Sequence, residues 1–366
     1  MLDESVYRER MVRVQKHIES SGADVAFLTP SPSFQYLVGF AYQMHERLLA
    51  LIVRKEGDPI IISPAFEMSD HQSHTWIKEF TSWAEDENPY RKVVEIIGRN
   101  KVVLFDESIP LGVFWSLERE MGGFKDTASV TPVIDKMRIS KSETEIELMK
   151  KAGLVIDDAV SKAFAEAQLG MTEIDVQDIV QKEIRRQGAV ATFAIVQFGE
   201  HSALPHASPG SRELKKGDVV LMDCGCSIDG YNTDMTRVGV VGDPTEEIQA
   251  VHSTVLQALE TAMDKIKAGM ACGAADGVAR RVIDDAGYGD FFTHRLGHGV
   301  GLEVHESPYV VRGSSEILKS GMCHSVEPGV YLEGKFGVRI EDLVCIREDG
   351  PELLTFTIRD LIQMDL

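Results

Sequence analysis

Asp223, Asp234, His298, Glu327 and Glu341 have the side-chain types and settings of a single metal site. Four are carboxylates set in apolar, strand-like runs. Asp223 ends Val219-Val220-Leu221-Met222, Glu327 follows Ser325-Val326, and Glu341 stands between Ile340 and Leu343-Val344. An unpaired buried carboxylate is costly, and several close together repel. Two divalent cations would balance four carboxylates, and a neutral histidine completes the set. Oxygen-rich ligands with one imidazole and no thiolate suit a hard or borderline metal better than a structural zinc site. The chemistry implied is that of a two-metal hydrolase, in which paired ions clamp a nucleophilic water.

Hairpin geometry tests whether these acids can meet. Asp229-Gly230 is a favoured two-residue turn. With that turn Ile228 pairs with Tyr231, Thr236 lies opposite Asp223, and Asp234 lies opposite Gly225. Side chains alternate along a strand, so Asp223 and Asp234 become diagonal neighbours on one face. Glu327 and Glu341 are fourteen residues apart, with a turn expected near Glu333-Gly334-Lys335. A three-residue loop would place them directly opposite. A two-residue loop would put them on opposite faces unless a bulge intervened. Pro328 has no N–H to donate and predicts an irregular ladder there. His294 and His298 lie four apart in His294-Arg295-Leu296-Gly297-His298-Gly299-Val300-Gly301, where the glycines argue for a loop or a short strand. His206 and His305 sit in segments punctuated by proline or glycine, and spacing does not assign their roles.

The elements that must position these residues follow from periodicity. Helix is predicted over about 5–21, with Gly22 as stop, and strands over 24–29, 48–54, 59–63 and 101–105, with a helix over 89–99. Strands alternating with helices predict a three-layer αβα first domain. Beyond residue 137 the pattern changes to a long amphipathic helix, 140–164, opened by the capping-box spacing of Ser142 and Glu145. Helices follow over 173–187, 246–266 and 273–286, separated by strand-rich segments. Each half of the second domain thus carries two helices and then a hairpin with two acids.

The 366 residues suggest two domains, with hydrophobic and charged fractions of 43% and 26% that fit a soluble globular protein. A formal net charge of -20 argues against nucleic acid or an anionic membrane as partner. Cys224 and Cys226 read as core residues, since no second cysteine pair completes a site, and the odd total of five is no disulfide framework. The acidic start Met1-Leu2-Asp3-Glu4-Ser5 has no apolar signal region, and the expected location is cytoplasmic.

The chain resembles the pita-bread metallopeptidases, and within them the Xaa-Pro dipeptidases, or prolidases. The resemblance rests on Ser202-Ala203-Leu204-Pro205-His206, the run from Asp223 to Arg237, His294 to His305, Val326-Glu327-Pro328-Gly329 and Val338-Arg339-Ile340-Glu341-Asp342. Tyr36 to Phe40 and His45 to Leu48 extend it to the first domain. It implies an α/β fold with a creatinase-like αβα domain over 1–137, serving dimerisation and one wall of the substrate site. A pita-bread catalytic domain over 138–366 would follow, with a curved, mostly antiparallel sheet covered by helices. It further implies that Asp223 and Asp234 bind one ion and that Asp234 and Glu341 bridge to a second completed by His298 and Glu327. A bridging hydroxide would attack the scissile carbonyl, with Glu327 shuttling its proton. His206 and His305 would hold the tetrahedral intermediate or substrate beside His298, and Arg339 would meet the substrate carboxylate. The implied cofactors are two divalent ions, manganese or cobalt, with zinc as a further option. The implied substrate is a small peptide ending in proline, and the assembly a homodimer. The rival readings are an aminopeptidase removing the residue before proline from longer peptides, a non-peptidase such as a lyase or amidinohydrolase, and a metal-free binding protein on the same fold.

Overall fold

The computed structural model describes residues 2–205 and 207–366. It divides into two compact units, Met1–Arg138 and Ile139–Leu366. Among the described residues no helix is long and apolar enough to cross a membrane.

The first unit is built on a six-stranded sheet. Its strands run in the order Glu79–Trp83, Ile60–Pro64, Ala50–Arg54, Val25–Leu28, Val102–Phe105 and Asp126–Ser129. The two central strands read Val-Ala-Phe-Leu and Ala-Leu-Ile-Val-Arg, continuous apolar runs rather than alternating ones, because both faces are covered. Phe27, Ile52, Ile62 and Val103 pack with Val93, Ile97, Leu117 and Met121 of the helices Pro89–Ile97 and Leu111–Met121. The amphipathic helix Glu4–Ser20 buries Met11, Val14 and Ile18 and is stopped at Gly22, which takes a left-handed φ of 74°. This is the expected αβα layering. The short helices Pro32–Val38 and Met68–Ser73 and the helix Leu111–Met121 escaped the periodicity reading.

The second unit repeats one plan twice. The helices Glu143–Glu166 and Glu173–Arg186 come first, each opened by a capping box, Ser142 with Glu145 and Thr172 with Asp175. They bury Ile156, Val160, Val176 and Val180 against Val196, Val220 and Met222 of a largely antiparallel sheet. The helices Glu246–Lys265 and Cys272–Asp285 then bury Val255, Leu259, Ala275 and Ala279 against Val326, Val338 and Val344. Each helix pair is followed by a hairpin with two acids: Val219–Ile228 with Met235–Val241, and Cys323–Val326 with Asp342–Arg347. The five cysteines are free and buried, and the thiol of Cys226 donates to the carbonyl of Ala152 at 3.3 Å.

Close approach of backbones holds the ligand-bearing strands in place. A Cβ added to Gly297, in the strand Gly297–Gly299, would fall 1.9 Å from the Ser325 carbonyl oxygen of the neighbouring strand. Backbone cannot yield as a side chain can. Gly297→Ala is therefore expected to lower stability by about 2–3 kcal/mol. Gly277→Ala, in the helix Cys272–Asp285 with nothing within 4 Å of its would-be Cβ, should gain about 0.5–1 kcal/mol from helix propensity. Denaturant unfolding of the two variants checks the contrast, and equal effects would refute it.

Candidate metal centre

The first hairpin has the register the turn predicts. Asp229 and Gly230 take left-handed φ values of 50° and 84°, Ile228 pairs with Tyr231, and Thr236 pairs with Asp223. Asp223 and Asp234 consequently line one cavity. Gly225 admits the close approach of Phe193 and Thr233, since a Cβ there would meet the Phe193 ring at 2.3 Å and the Thr233 carbonyl oxygen at 2.6 Å.

The second hairpin turns through Glu333, Gly334 and Lys335, because Leu332 pairs with Phe336. The same register continues from Gly329 opposite Arg339 to Val326 opposite Asp342, so Glu327 and Glu341 stand across from each other. The ladder is broken between these two segments, at Pro328. The amide of Glu327 donates instead to the Leu296 carbonyl at 2.8 Å, and that of Glu341 to the Thr236 carbonyl at 3.2 Å. Each acid on the second hairpin is thereby tied to a different part of the domain, and the Glu341 bond links the two hairpins.

His298 completes the set. Its Nδ1 faces the Gly299 carbonyl at 3.2 Å, which directs Nε2 inward to lie 3.2 Å from Glu327 Oε1 and 3.7 Å from Asp234 Oδ2. Ligand atoms of Asp234, His298 and Glu341 all lie within 4.8 Å of one another. Glu341 Oε2 accepts from the Thr236 hydroxyl at 2.6 Å, and the Ser325 hydroxyl donates to Glu327 Oε1 at 3.0 Å. Asp223 Oδ1 and Glu341 Oε1 are buried with no hydrogen-bond partner among the described residues. Burial first, and then the neighbouring carboxylates, push the Asp234 and Glu341 carboxyls well above the ordinary range. Burial is the largest single influence on Glu327 and opposes its ionisation, but the hydrogen bond to His298 together with the charges of His298, His294 and Arg339 outweighs it and lowers the carboxyl to about 2. Orphaned oxygens among clustered carboxylates are what divalent cations satisfy, so the donor set fits the expected ions.

Arg339 lines the cavity and donates to Asp223 Oδ2 at 2.5 Å, the Tyr331 hydroxyl at 2.8 Å and the Thr236 hydroxyl at 3.1 Å. It is 2% exposed, so its guanidinium serves to hold Asp223 and to offset one of the four negative charges. His305 is exposed, its ring centroid 4.1 Å from that of His298. His206 lies outside the described residues. Thr236, Ser325 and Tyr331 support the ligands and were not recognised in the sequence. For Thr236 a signal existed, its place opposite Asp223 in the hairpin.

The ligands open onto a cavity of about 660 Å³ that His294, Arg295, His305 and Arg339 also line. Its other wall is apolar, with Phe193, Ile195 and Val304. A cavity of this size suits a small molecule or short peptide.

Comparison with known proteins agrees with this geometry. The family model for metallopeptidase family M24 matches residues 147–348, and that for the creatinase/prolidase N-terminal domain matches residues 10–140. The Xaa-Pro dipeptidase of Lactobacillus delbrueckii subsp. lactis is 31% identical over 95% of this chain and 97% of its own. The crystal structure of a prolidase from Thermococcus sibiricus superposes with a TM-score of 0.92 at 36% identity, covering 99% of this chain and 100% of that one. An X-Pro aminopeptidase from Thermotoga maritima superposes with a TM-score of 0.85 at 31% identity, covering 96% and 99%.

Two outcomes follow from the electrostatics. The raised carboxyls of Asp234 and Glu341 keep protons that a cation must displace, so metal affinity should rise with pH and binding should release protons. Calorimetry in buffers of different ionisation enthalpy measures this, and zero release would show both acids already ionised. Arg339→Met should weaken metal binding by about 10- to 100-fold by freeing Asp223 to move. Titration with manganese reads the loss, and unchanged affinity would refute it.

Proposed function

We propose that this chain, which belongs to metallopeptidase family M24, hydrolyses the peptide bond before proline in dipeptides with two divalent ions in its site. The observation that carries the reading is the convergence of Asp223, Asp234, His298, Glu327 and Glu341 on one cavity with orphaned carboxylate oxygens. These five residues would hold the ions, manganese or cobalt. When bound, such ions activate a water at neutral pH and polarise the scissile carbonyl.

The chain's own residues supply the rest. Ser325 fixes Glu327 Oε1, which leaves Oε2 to take a proton from the attacking water and pass it to the leaving nitrogen. That nitrogen must gain a proton, because the bond before proline is a tertiary amide without an N–H. His305, exposed at the cavity beside His298, is placed to donate to the oxyanion that develops on the carbonyl. Phe193, Ile195 and Val304 give apolar surface for a pyrrolidine ring or an aliphatic side chain. His206 is proposed to share the substrate-binding role of His305. The likeness to both a prolidase and an X-Pro aminopeptidase leaves peptide length as the property to measure.

Metal-loaded protein should cleave Ala-Pro faster than Ala-Pro-Ala-Ala, and a chelator should abolish both activities. A preference for the longer peptide would replace the dipeptidase reading by the aminopeptidase one. Glu327→Ala should reduce turnover by roughly 10³-fold or more, since a metal ligand and a proton carrier are lost together. Near-normal turnover in that variant would remove Glu327 from the mechanism.

A further inference from the structure

Pro205, the residue before His206, lines the cavity from a loop. The loop follows the strand Val190–Phe198, in which Ile195 is the ladder partner of Asp223 and Gln197 that of Leu221. Alternation puts Ile195 and Gln197 on the face that bears Asp223. Gln197 is therefore the last side chain of the strand on that face before the loop begins. It does not line the cavity.

Glu173 and Ser202 fasten the base of the loop. Glu173, fully buried, accepts from the amides of Phe198 at 2.9 Å and Gly210 at 2.8 Å, and so clasps both ends. The Ser202 hydroxyl accepts from the Gly337 amide of the second hairpin at 2.8 Å.

Gln197 fastens the tip. Leu204 and Ala207 flank Pro205 and His206 in the chain, and the Ala207 amide donates to the Leu204 carbonyl at 3.1 Å. Gln197 Nε2 donates to that same carbonyl at 2.7 Å and to the Ala207 carbonyl at 3.0 Å. Both donors of the amide are used, and both partners are carbonyls, which fixes the way the amide faces. Gln197 is 1% exposed, and its Oε1 is buried with no hydrogen-bond partner among the described residues. An amide buried with an orphaned acceptor adds little net stability. What it secures is the position of two carbonyls, one on each side of Pro205 and His206.

We infer that Gln197 is a positioning residue, whose side-chain amide ties Leu204 and Ala207 to the Asp223 sheet and so holds His206 within reach of the substrate. The inference rests on the role proposed above for His206 and assigns the support of that role to a side chain outside the cavity lining.

The test uses manganese-loaded wild type, Gln197→Met, His206→Ala and the double variant, with melting temperatures to confirm folding. Methionine keeps the approximate size of glutamine but has no N–H to donate. In Gln197→Met, kcat/KM for Ala-Pro should fall by about 10- to 100-fold, the scale of a reacting group displaced by about an ångström. Manganese affinity should match wild type, since other residues hold the ligands. In the His206→Ala background the same substitution should change kcat/KM by less than about two-fold, because its effect passes through His206. Losses that simply multiply would mark a general structural effect and overturn the inference. Full activity in Gln197→Met or in His206→Ala would overturn it too, as would a Gln197→Met protein that fails to fold. Should loaded wild type cleave neither Ala-Pro nor Ala-Pro-Ala-Ala, the peptidase reading fails, and hydrogen exchange then tests the positioning without turnover. Faster exchange in Gln197→Met confined to the amides of 203–210 supports the hold on this segment. Exchange equal to wild type, or loosened across the whole sheet, overturns it.

Discussion

Mutual repulsion of four clustered carboxylates, three of them buried and Glu327 partly so, is the constraint on which the catalytic unit depends. Asp223, Asp234, Glu327 and Glu341 are all inward-facing, and Arg339 offsets one charge among them. The remaining negative charge favours either protonation or cations, and the site is arranged for cations. Asp223 Oδ1 and Glu341 Oε1 have no hydrogen-bond partner among the described residues, while other carboxylate oxygens are anchored by Thr236, Ser325 and Arg339. Fixing these oxygens limits how far the acids can turn away to relieve their repulsion.

That constraint accounts for polar groups deeper in the fold. Arg237, 1% exposed, donates to the Glu341 carbonyl at 2.5 Å and pairs with Asp342 at 2.6 Å. Asp342 in turn pairs with Arg359 at 2.6 Å and accepts from Thr355 at 3.1 Å. A buried ion pair adds little net stability against an apolar replacement, so its value lies in fixing geometry. Here it fixes the backbone of a ligand where the second hairpin's ladder is broken. The break at Pro328 frees the amides of Glu327 and Glu341 to bond elsewhere, to Leu296 and Thr236, and the Glu341 bond to Thr236 joins the two hairpins.

The repeated plan has a physical rationale. A hairpin with acids on one face has apolar residues on the other, and each helix pair buries that apolar face. Two such units then turn their acidic faces toward one cavity. One packing solution used twice yields two diagonal or opposed acid pairs.

Much of this was legible in sequence because it is local. Turn chemistry at Asp229-Gly230, with alternation along strands, set the first register and the face of its acids; near Gly334 the sequence left two- and three-residue loops open, and the observed three-residue loop placed Glu327 opposite Glu341. The capping-box spacing of Ser142 and Glu145 and apolar periodicity located the four catalytic-unit helices to within a few residues. Short helices such as Met68–Ser73 gave too few turns to show a period. The partners of Arg339 were not legible, and neither were the stacking of Arg295 on Tyr309 or the placement of His305 against His298. The residues that hold the acids lie far away in the chain: Thr236 and Glu341 are 105 apart, and Asp223 and Arg339 are 116 apart. Sequence determined what each strand could present, since alternation and turn type act between neighbours. Which cation meets which carboxylate was decided by tertiary structure, because only the folded packing of the two hairpins sets those distances.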